Sequence, residues 1–249
     1  VAFTGSTATA RKIASSMADH CAPGTPLIAE TGGLNAMIVD STALPEHAVR
    51  DIVNGAFRSA GQRCSALRCL YVQDDIADKL LTMLKGAMNT LTLGDPWDLS
   101  TDIGPVIDAD ARSGINAHIT QAAGEGRVLH QLAVPGMGEF VAPTIIALDS
   151  IAQLEREIFG PVLHVVRFKS QDLHKVIDAI NATGYGLTFG LHTRIDDRVE
   201  TMVNRIDCGN IYVNRDQIGA IVGSQPFGGE GLSGTGPKAG GPQYLPRFT

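Results

Sequence analysis

The strongest restriction on the fold of this chain is its alternation of short apolar runs with longer segments of helical periodicity. The run from Val162 to Phe168 is mostly apolar, as expected of a buried strand. The segments that begin at Pro45 and Asp75 instead place apolar residues three and four positions apart, which is typical of helices. Strands that alternate with helices favour a mostly parallel sheet covered by helices, so the sequence predicts an α/β fold. The predicted strands are 1–3, 26–29, 36–39, 68–72, 127–134, 141–148, 162–168, 187–192 and 210–213. A first helix is predicted to begin at residue 6 or 7. The other predicted helices are 45–59, 75–89, 110–124, 172–181 and 197–205.

Composition limits the class of protein. Hydrophobic residues make up 44% of the chain and charged residues 18%, which allows a substantial core and is not a disordered composition. The net charge of −6 and the lack of any run of Lys or Arg argue against nucleic acid or an anionic membrane as a partner. Because no apolar segment reaches membrane length and no charged-then-apolar leader is present, the sequence predicts a cytoplasmic location.

The cysteine and histidine side chains give no metal-binding pattern. The four cysteines, Cys21, Cys64, Cys69 and Cys208, lack the paired spacing of zinc sites, and Cys64 with Cys69 would form only half of one. The seven histidines form no close pair along the sequence. We therefore predict neither a metal site nor disulfides.

Cys64 lies in a polar, glycine-led turn, residues 61–66, directly after a predicted helix. A reactive thiol needs access and a pKa lowered by a nearby positive charge or helix N-terminus, and Arg63 is adjacent in sequence. These features favour Cys64 as a nucleophile. The alternative is a buried structural thiol.

Glu30 ends a short apolar run and is followed by Gly32 and Gly33, which permit a tight turn. Poor solvation at such a position raises the pKa of a carboxyl group, which suits a general base. A helix cap is the alternative role for this residue.

Four motifs occur in a characteristic order: the Glu30 segment 28–33, the Cys64 turn, the sequence Glu-Ile-Phe-Gly-Pro at 157–161, and Pro-Phe-Gly-Gly at 226–229. In this order they resemble the aldehyde dehydrogenase superfamily over essentially the whole chain. The stretches 218–229 and 231–242 are most similar to the 1-pyrroline-5-carboxylate (L-glutamate γ-semialdehyde) dehydrogenase module of the bifunctional proline utilization A family.

The resemblance implies a division of the chain into domains. Residues 1–33 would be the C-terminal remnant of a Rossmann-like NAD-binding domain, 34–229 the catalytic domain that carries the thiol, and 230–249 a glycine-rich tail that returns toward the cofactor domain. Since the chain begins without Met, we expect a fragment. The family's upstream oxyanion Asn and ribose-binding Lys would then precede it, so we expect the fragment alone to be a poor catalyst.

The resemblance also assigns the reaction, an NAD-dependent oxidation of an aldehyde. Cys64 would add to the carbonyl carbon, and Glu30 would activate the water that hydrolyses the resulting thioester. Three alternatives stay open: oxidation of glutamate semialdehyde, oxidation of another aldehyde, and an inactive truncated module. The resemblance implies a small-molecule aldehyde as substrate. It also implies that the full-length protein forms a homo-oligomer.

Binding residues follow from the same resemblance. Those for NAD would be Gly5 and Ser6 beside the pyrophosphate, Glu157 at the nicotinamide ribose and Phe159 as a wall of the nicotinamide site. Those for the substrate would be Ser65, with the backbone of Gly219 and Ala220, at the α-carboxylate, and Phe227, with Asn214 nearby, at the aldehyde channel. Without the resemblance, Glu157 reads as an exposed charge at a helix end, Phe159 and Phe227 read as core residues, and 219–220 read as a flexible loop.

Overall fold

A computed structural model of the chain describes residues 1–248. The described elements, in chain order, are β1 (Ala2–Thr4), α1 (Thr7–His20), β2 (Ile28–Glu30), β3 (Ala36–Val39), α2 (Pro45–Phe57), β4 (Cys69–Gln73), α3 (Asp74–Met88), α4 (Ala109–Gly124), β5 (Val128–Gln131), β6 (Thr144–Leu148), β7 (Val162–Phe168), α5 (Leu173–Asn181), β8 (Tyr185–Gly186), β9 (Thr188–His192), α6 (Asp196–Val203), β10 (Asn210–Val213) and β11 (Glu230–Gly231). The predicted alternation of strands and helices is confirmed.

The central sheet has seven strands in the order β10-β9-β3-β4-β7-β6-β5. All neighbouring pairs are parallel except β5 with β6. The middle strands β3 and β4 are buried along their whole length, and helices α2 and α3 bury apolar faces led by Ile52 and Leu80. This is the α/β fold, with a mostly parallel sheet covered by helices, that the sequence predicts.

Several predicted boundaries were wrong because proline and backbone conformation intervene. Strand β6 begins only after Pro143, and β2 begins after Pro26, since proline has no N–H to donate to a ladder. Helix α2 ends at Phe57 rather than at residue 59, because Ser59 and Ala60 adopt positive φ angles of 56° and 53°. This left-handed turn redirects the chain toward Cys64.

Three of the segments that carry predicted site residues precede the amino ends of parallel strands. Glu30 and the two glycines precede β3, Cys64 precedes β4 and Glu157 precedes β7. These amino ends are aligned, because Ala36 is opposite Cys69 and Cys69 is opposite His164. The three segments therefore meet at one edge of the sheet. Open α/β sheets more commonly bind ligands at the carboxyl edge.

The two ends of the chain pack against each other beside this edge. Strands β1 and β2 form a small parallel sheet, and Ser6 caps α1 by accepting a hydrogen bond from the Thr9 N–H at 3.2 Å. The tail reaches the same sheet, since Thr235 N donates to Ala29 O at 3.0 Å. This contact fits a tail that returns to residues 1–33, although the division into 1–33, 34–229 and 230–249 stays a prediction, and Thr249 lies outside the described residues.

Among the helices described in residues 1–248, none is long and apolar enough to cross a membrane. The predicted cytoplasmic location stays a prediction.

Candidate active site

The turn that carries Cys64 is fixed by backbone geometry. Three successive residues, Ser59, Ala60 and Gly61, have positive φ, a conformation that non-glycine residues rarely adopt. At Gly61 (φ 65°) a Cβ atom would lie 2.1 Å from the carbonyl oxygen of Gly160, so only glycine fits there. The turn is therefore pressed against the segment that carries Glu157, and Cys64 emerges half-buried rather than sealed.

Burial raises the pKa of the Cys64 thiol, and the negative charge of Glu157 adds to the increase. Three groups favour the thiolate and so oppose this increase in pKa: the backbone N–H groups of Ser65 and Cys64 and the cation of Arg68. The prediction of a pKa lowered by Arg63 was wrong. The Arg63 guanidinium instead donates from Nε to Ser59 Oγ at 3.1 Å, and the cation beside the thiol is Arg68. The net effect of these surroundings is to favour the protonated form of the resting thiol.

Glu30 occupies the last position of β2, so its alternative role as a helix cap was wrong. Burial raises the pKa of its carboxyl group, as the sequence predicts, although Gly229 N donates to Oε2 at 3.2 Å and partly offsets the increase. The other oxygen, Oε1, is buried and has no hydrogen-bond donor among the described residues. This oxygen is the atom suited to take a proton from water.

Glu157 is not an exposed charge at a helix end. Its Oε1 accepts two hydrogen bonds from Arg68, and the backbone N–H of Gly33 also bonds its carboxylate. Burial nevertheless raises the pKa of Glu157. At Gly32 a Cβ would lie 1.8 Å from Oε2, so the lack of a side chain at Gly32 is what lets the carboxylate approach. Glu157 therefore connects the Glu30 segment to the Cys64 turn.

One cavity of about 650 Å³ brings the predicted catalytic and cofactor residues together. Phe159, 44% exposed, forms part of its wall and is not a core residue. The volume is within the range of small-molecule sites. The predicted residues that line the cavity are Gly5, Ser6, Glu30, Cys64, Glu157 and Phe159.

The predicted substrate residues are not in the lining of this cavity. Ser65 is buried directly behind Cys64, and Phe227 is half-buried, with its N–H donating to Ala239 O at 3.0 Å. Gly219 and Ala220 lie in the loop between β10 and β11. Their role in substrate binding stays a prediction. Asn214 follows the carboxyl end of β10 and bonds the backbone of Thr193, and its expected place near Phe227 stays a prediction.

Three residues of the site were missed. Arg156 and Tyr185 line the cavity, and Arg68 pairs with Glu157. The only signal for Arg68 was a charged residue inside an otherwise apolar run, 66–72.

A close histidine pair was also missed. Nε2 of His118 and Nε2 of His164 lie 2.8 Å apart, although 46 residues separate them in sequence. Within the described part of the chain, no group of three or more His, Cys, Asp or Glu residues could hold a metal ion.

Comparisons with known proteins agree with this geometry. The sequence profile of the aldehyde dehydrogenase family matches residues 1–249. The bifunctional protein PutA of Klebsiella aerogenes is 55% identical over 260 aligned positions, which cover 100% of this chain and 20% of the relative. The chain thus spans about a fifth of the length of the first curated relatives that it matches.

Solved structures show the same relationship. A mutant of proline utilization A (PutA) from Bradyrhizobium japonicum superposes with a TM-score of 0.97 at 56% identity, covering 100% of this chain and 25% of that one. The 1-pyrroline-5-carboxylate dehydrogenase from Thermus, solved with bound NAD, gives a TM-score of 0.90 at 35% identity, covering 99% of this chain and 48% of that one. From the profile match over its whole length and the agreement in fold, we conclude that the chain belongs to the aldehyde dehydrogenase family.

Proposed function

We propose that this chain supplies the nucleophile and the general base for the NAD-dependent oxidation of L-glutamate γ-semialdehyde, the open form of 1-pyrroline-5-carboxylate, to glutamate within a longer protein. The observation that carries the proposal is that Cys64 and Glu30 line one cavity although 34 positions separate them (64 − 30). The names of the relatives, PutA and 1-pyrroline-5-carboxylate dehydrogenase, support the choice of substrate.

The Cys64 sulfur begins the reaction. The thiol proton passes to water, the sulfur forms a bond to the aldehyde carbon, and the carbonyl electron pair moves onto oxygen, where the N–H of Cys64 stabilises it. When bound, the nicotinamide ring accepts the hydride that leaves this carbon. The product of the first half on the protein is a thioester between the acyl group and Cys64.

Glu30 serves the second half of the reaction. Its buried Oε1 takes a proton from water as the water oxygen attacks the thioester carbon. The carbon–sulfur bond then breaks, glutamate leaves, and the proton held by Glu30 passes to the sulfur, which restores the Cys64 thiol. A carboxyl group whose pKa is raised by burial is a better base for this step than an exposed one.

The residues present suit part of an NAD site. Gly5 and Ser6 open the N-terminus of α1, whose first turn contains no acidic residue, so its N–H groups and dipole favour a pyrophosphate. The Glu157 carboxylate and the Phe159 ring line the same cavity, as hydrogen-bond acceptor for ribose hydroxyls and as apolar wall for the nicotinamide. The substrate α-carboxylate is assigned to Ser65 and to the backbone 219–220, and Phe227 to the aldehyde channel.

The test uses the full-length protein that carries this chain. We expect much higher kcat/KM for glutamate semialdehyde than for propanal, because only the former has an α-carboxylate. Equal kcat/KM values for the two aldehydes would instead favour an aldehyde dehydrogenase with another substrate preference. Cys64→Ala should abolish turnover and keep NAD binding, whereas the control Cys21→Ala, at an exposed thiol, should retain full activity. Absence of both turnover and NAD binding in the wild type would favour an inactive module.

A further inference from the structure

The peptide carbonyl groups that follow the Cys64 side chain all accept hydrogen bonds from buried polar side chains. Asn35 Nδ2 donates to Cys64 O at 2.6 Å and to Ala66 O at 2.9 Å. Thr188 Oγ1 donates to Ser65 O at 3.1 Å. Asn35 and Thr188 are each only 3% exposed. Three consecutive carbonyl groups of the turn are therefore held from the side of the sheet.

The two side chains form one network. Thr188 N donates to Asn35 Oδ1 at 3.2 Å, which fixes the orientation of the amide and turns its Nδ2 toward the turn. Gln217 Nε2 donates to Thr188 Oγ1 at 3.1 Å, so the single hydroxyl proton of Thr188 is left for Ser65 O. Asn35 directly precedes β3 and Thr188 begins β9, two neighbouring strands of the central sheet. The network is thus anchored in two neighbouring strands of the central sheet.

The planarity of the peptide bond converts these contacts into an orientation of donors. In a trans peptide the C=O of Cys64 and the N–H of Ser65 point in opposite directions. When Asn35 holds Cys64 O toward the sheet, the Ser65 N–H is directed away from it. That N–H is one of the two backbone donors that favour the Cys64 thiolate.

We propose that Asn35 and Thr188 are positioning residues of the nucleophile turn: Asn35 holds the Cys64 carbonyl so that the Ser65 N–H faces the Cys64 sulfur, and Thr188 holds the next carbonyl, Ser65 O, and through its N–H the Asn35 amide. Neither side chain lines the cavity, so they act through the turn and touch no reacting atom. The proposal rests on the proposed function only in taking Cys64 as the nucleophile. The charged groups nearest the thiol, Glu157 and Arg68, stay in place in the variants below, as does Glu30, which lines the same cavity.

Thr188→Val is the decisive variant, because it removes one hydroxyl with little change of shape. Asn35→Ala is the stronger perturbation, but it leaves three buried polar groups without partners and destabilises the core. Thr144→Val is a matched control. Thr144 is also buried and begins strand β6. Its hydroxyl accepts a hydrogen bond from Gln131 Nε2 at 3.1 Å and donates one to Ala142 O at 2.7 Å.

The experiment measures how fast iodoacetamide alkylates Cys64 in the full-length protein as a function of pH, with the Cys64 peptide followed by mass spectrometry. This readout needs neither aldehyde nor NAD, so it is independent of the proposed function. In Thr188→Val we expect the midpoint of the pH profile to rise by about 0.5 or more, since the Ser65 carbonyl is no longer held and Ser65 can turn, which moves its N–H away from the thiolate. Turnover should fall about tenfold in kcat, with KM for the aldehyde changed less than about threefold. Thr188→Ser, which keeps the hydroxyl, should have the wild-type midpoint and the wild-type kcat.

Thr144→Val should keep the wild-type midpoint and kcat, although it too loses a buried hydroxyl that holds a backbone carbonyl. The proposal is overturned if Thr188→Val keeps the wild-type alkylation profile, or if Thr144→Val shifts the profile as much as Thr188→Val does. It is also overturned if Asn35→Ala, where folded, alkylates with the wild-type midpoint.

Discussion

Oε1 of Glu157 accepts hydrogen bonds from Nε and Nη2 of Arg68 at 3.2 and 3.0 Å, and the Arg68 side chain is only 1% exposed. Arg68 also donates from Nη1 to Gly61 O at 2.7 Å and from Nη2 to Arg63 O at 3.0 Å. One guanidinium group therefore joins the segment of Glu157 to the turn that presents the thiol. Because its donors serve both segments, the loss of this group should disturb them together.

Arg68→Met should destabilise the site strongly. It leaves the Glu157 carboxylate buried without its cation, and breaking a buried ion pair costs about 3–5 kcal/mol. Hydrogen exchange of β4 amides in the full-length protein measures the loss. Arg167→Met is the control, because Arg167 pairs with Asp74 and Asp78 at the surface and such pairs contribute about 1 kcal/mol or less. Equal protection in the two variants would contradict the role of Arg68.

Gly61→Ala should lower both stability and activity. The added Cβ would lie 2.1 Å from Gly160 O, and the residue would keep a φ of 65° that alanine disfavours. Gly86→Ala, inside α3 with no atom near the new Cβ, should instead be stabilising by about 0.5–1 kcal/mol. Thermal unfolding and turnover of the two variants give the comparison. A Gly61→Ala protein as stable and active as Gly86→Ala would show that the turn tolerates a side chain.

Stability should fall as the pH drops from 7 to 5, partly because of His164. Burial lowers the pKa of His164 to about 3, while in the unfolded chain it titrates near 6.5. Between these values only the unfolded state binds the proton, so stability is lost as the pH falls through this window. The loss from this group at pH 5 is about 2 kcal/mol.

His164→Leu should reduce the difference in unfolding free energy between pH 7 and pH 5, measured by urea denaturation. The His164 Nδ1 donates to Arg68 O at 3.0 Å, and this oxygen keeps the bond from the backbone N–H of residue 164 in the variant. His130→Gln, at a histidine bonded to Asn89 on the surface, should keep the wild-type difference. If His164→Leu keeps the wild-type difference in unfolding free energy between pH 7 and pH 5, a group other than His164 causes the loss of stability.

Much of the fold was predictable because its signals are local. The apolar run that begins at Val162 and the helix start at Pro45 follow from periodicity and proline chemistry, and both elements form there. The end of α2 was not predictable in the same way. Ser59 and Ala60 take left-handed φ angles without a glycine to mark them, because packing of the turn against Gly160 overrides local preference.

The site was predictable where motifs mark it and not where burial decides. Glu30, Cys64 and Glu157 were found from ordered motifs, and the raised pKa of Glu30 was anticipated. The pKa of Cys64 was predicted in the wrong direction, because adjacency to Arg63 in sequence says nothing of which cation folds beside the thiol. The buried network of Asn35 and Thr188 gave no signal, since its hydrogen bonds join residues up to 153 positions apart.

The central claim is that Cys64 and Glu30 act at one reaction centre, and trapping the acyl intermediate tests it most directly. Full-length Glu30→Gln protein is mixed with NAD and glutamate semialdehyde, quenched and digested, and the peptide that contains Cys64 is weighed. Because the proposed function makes Glu30 the base for hydrolysis, the variant should accumulate a glutamyl thioester on Cys64 that the wild type turns over quickly, and the exposed control Glu46→Gln should behave as wild type. An adduct on another cysteine, or a thioester lifetime equal to that of the wild type, would contradict the claim.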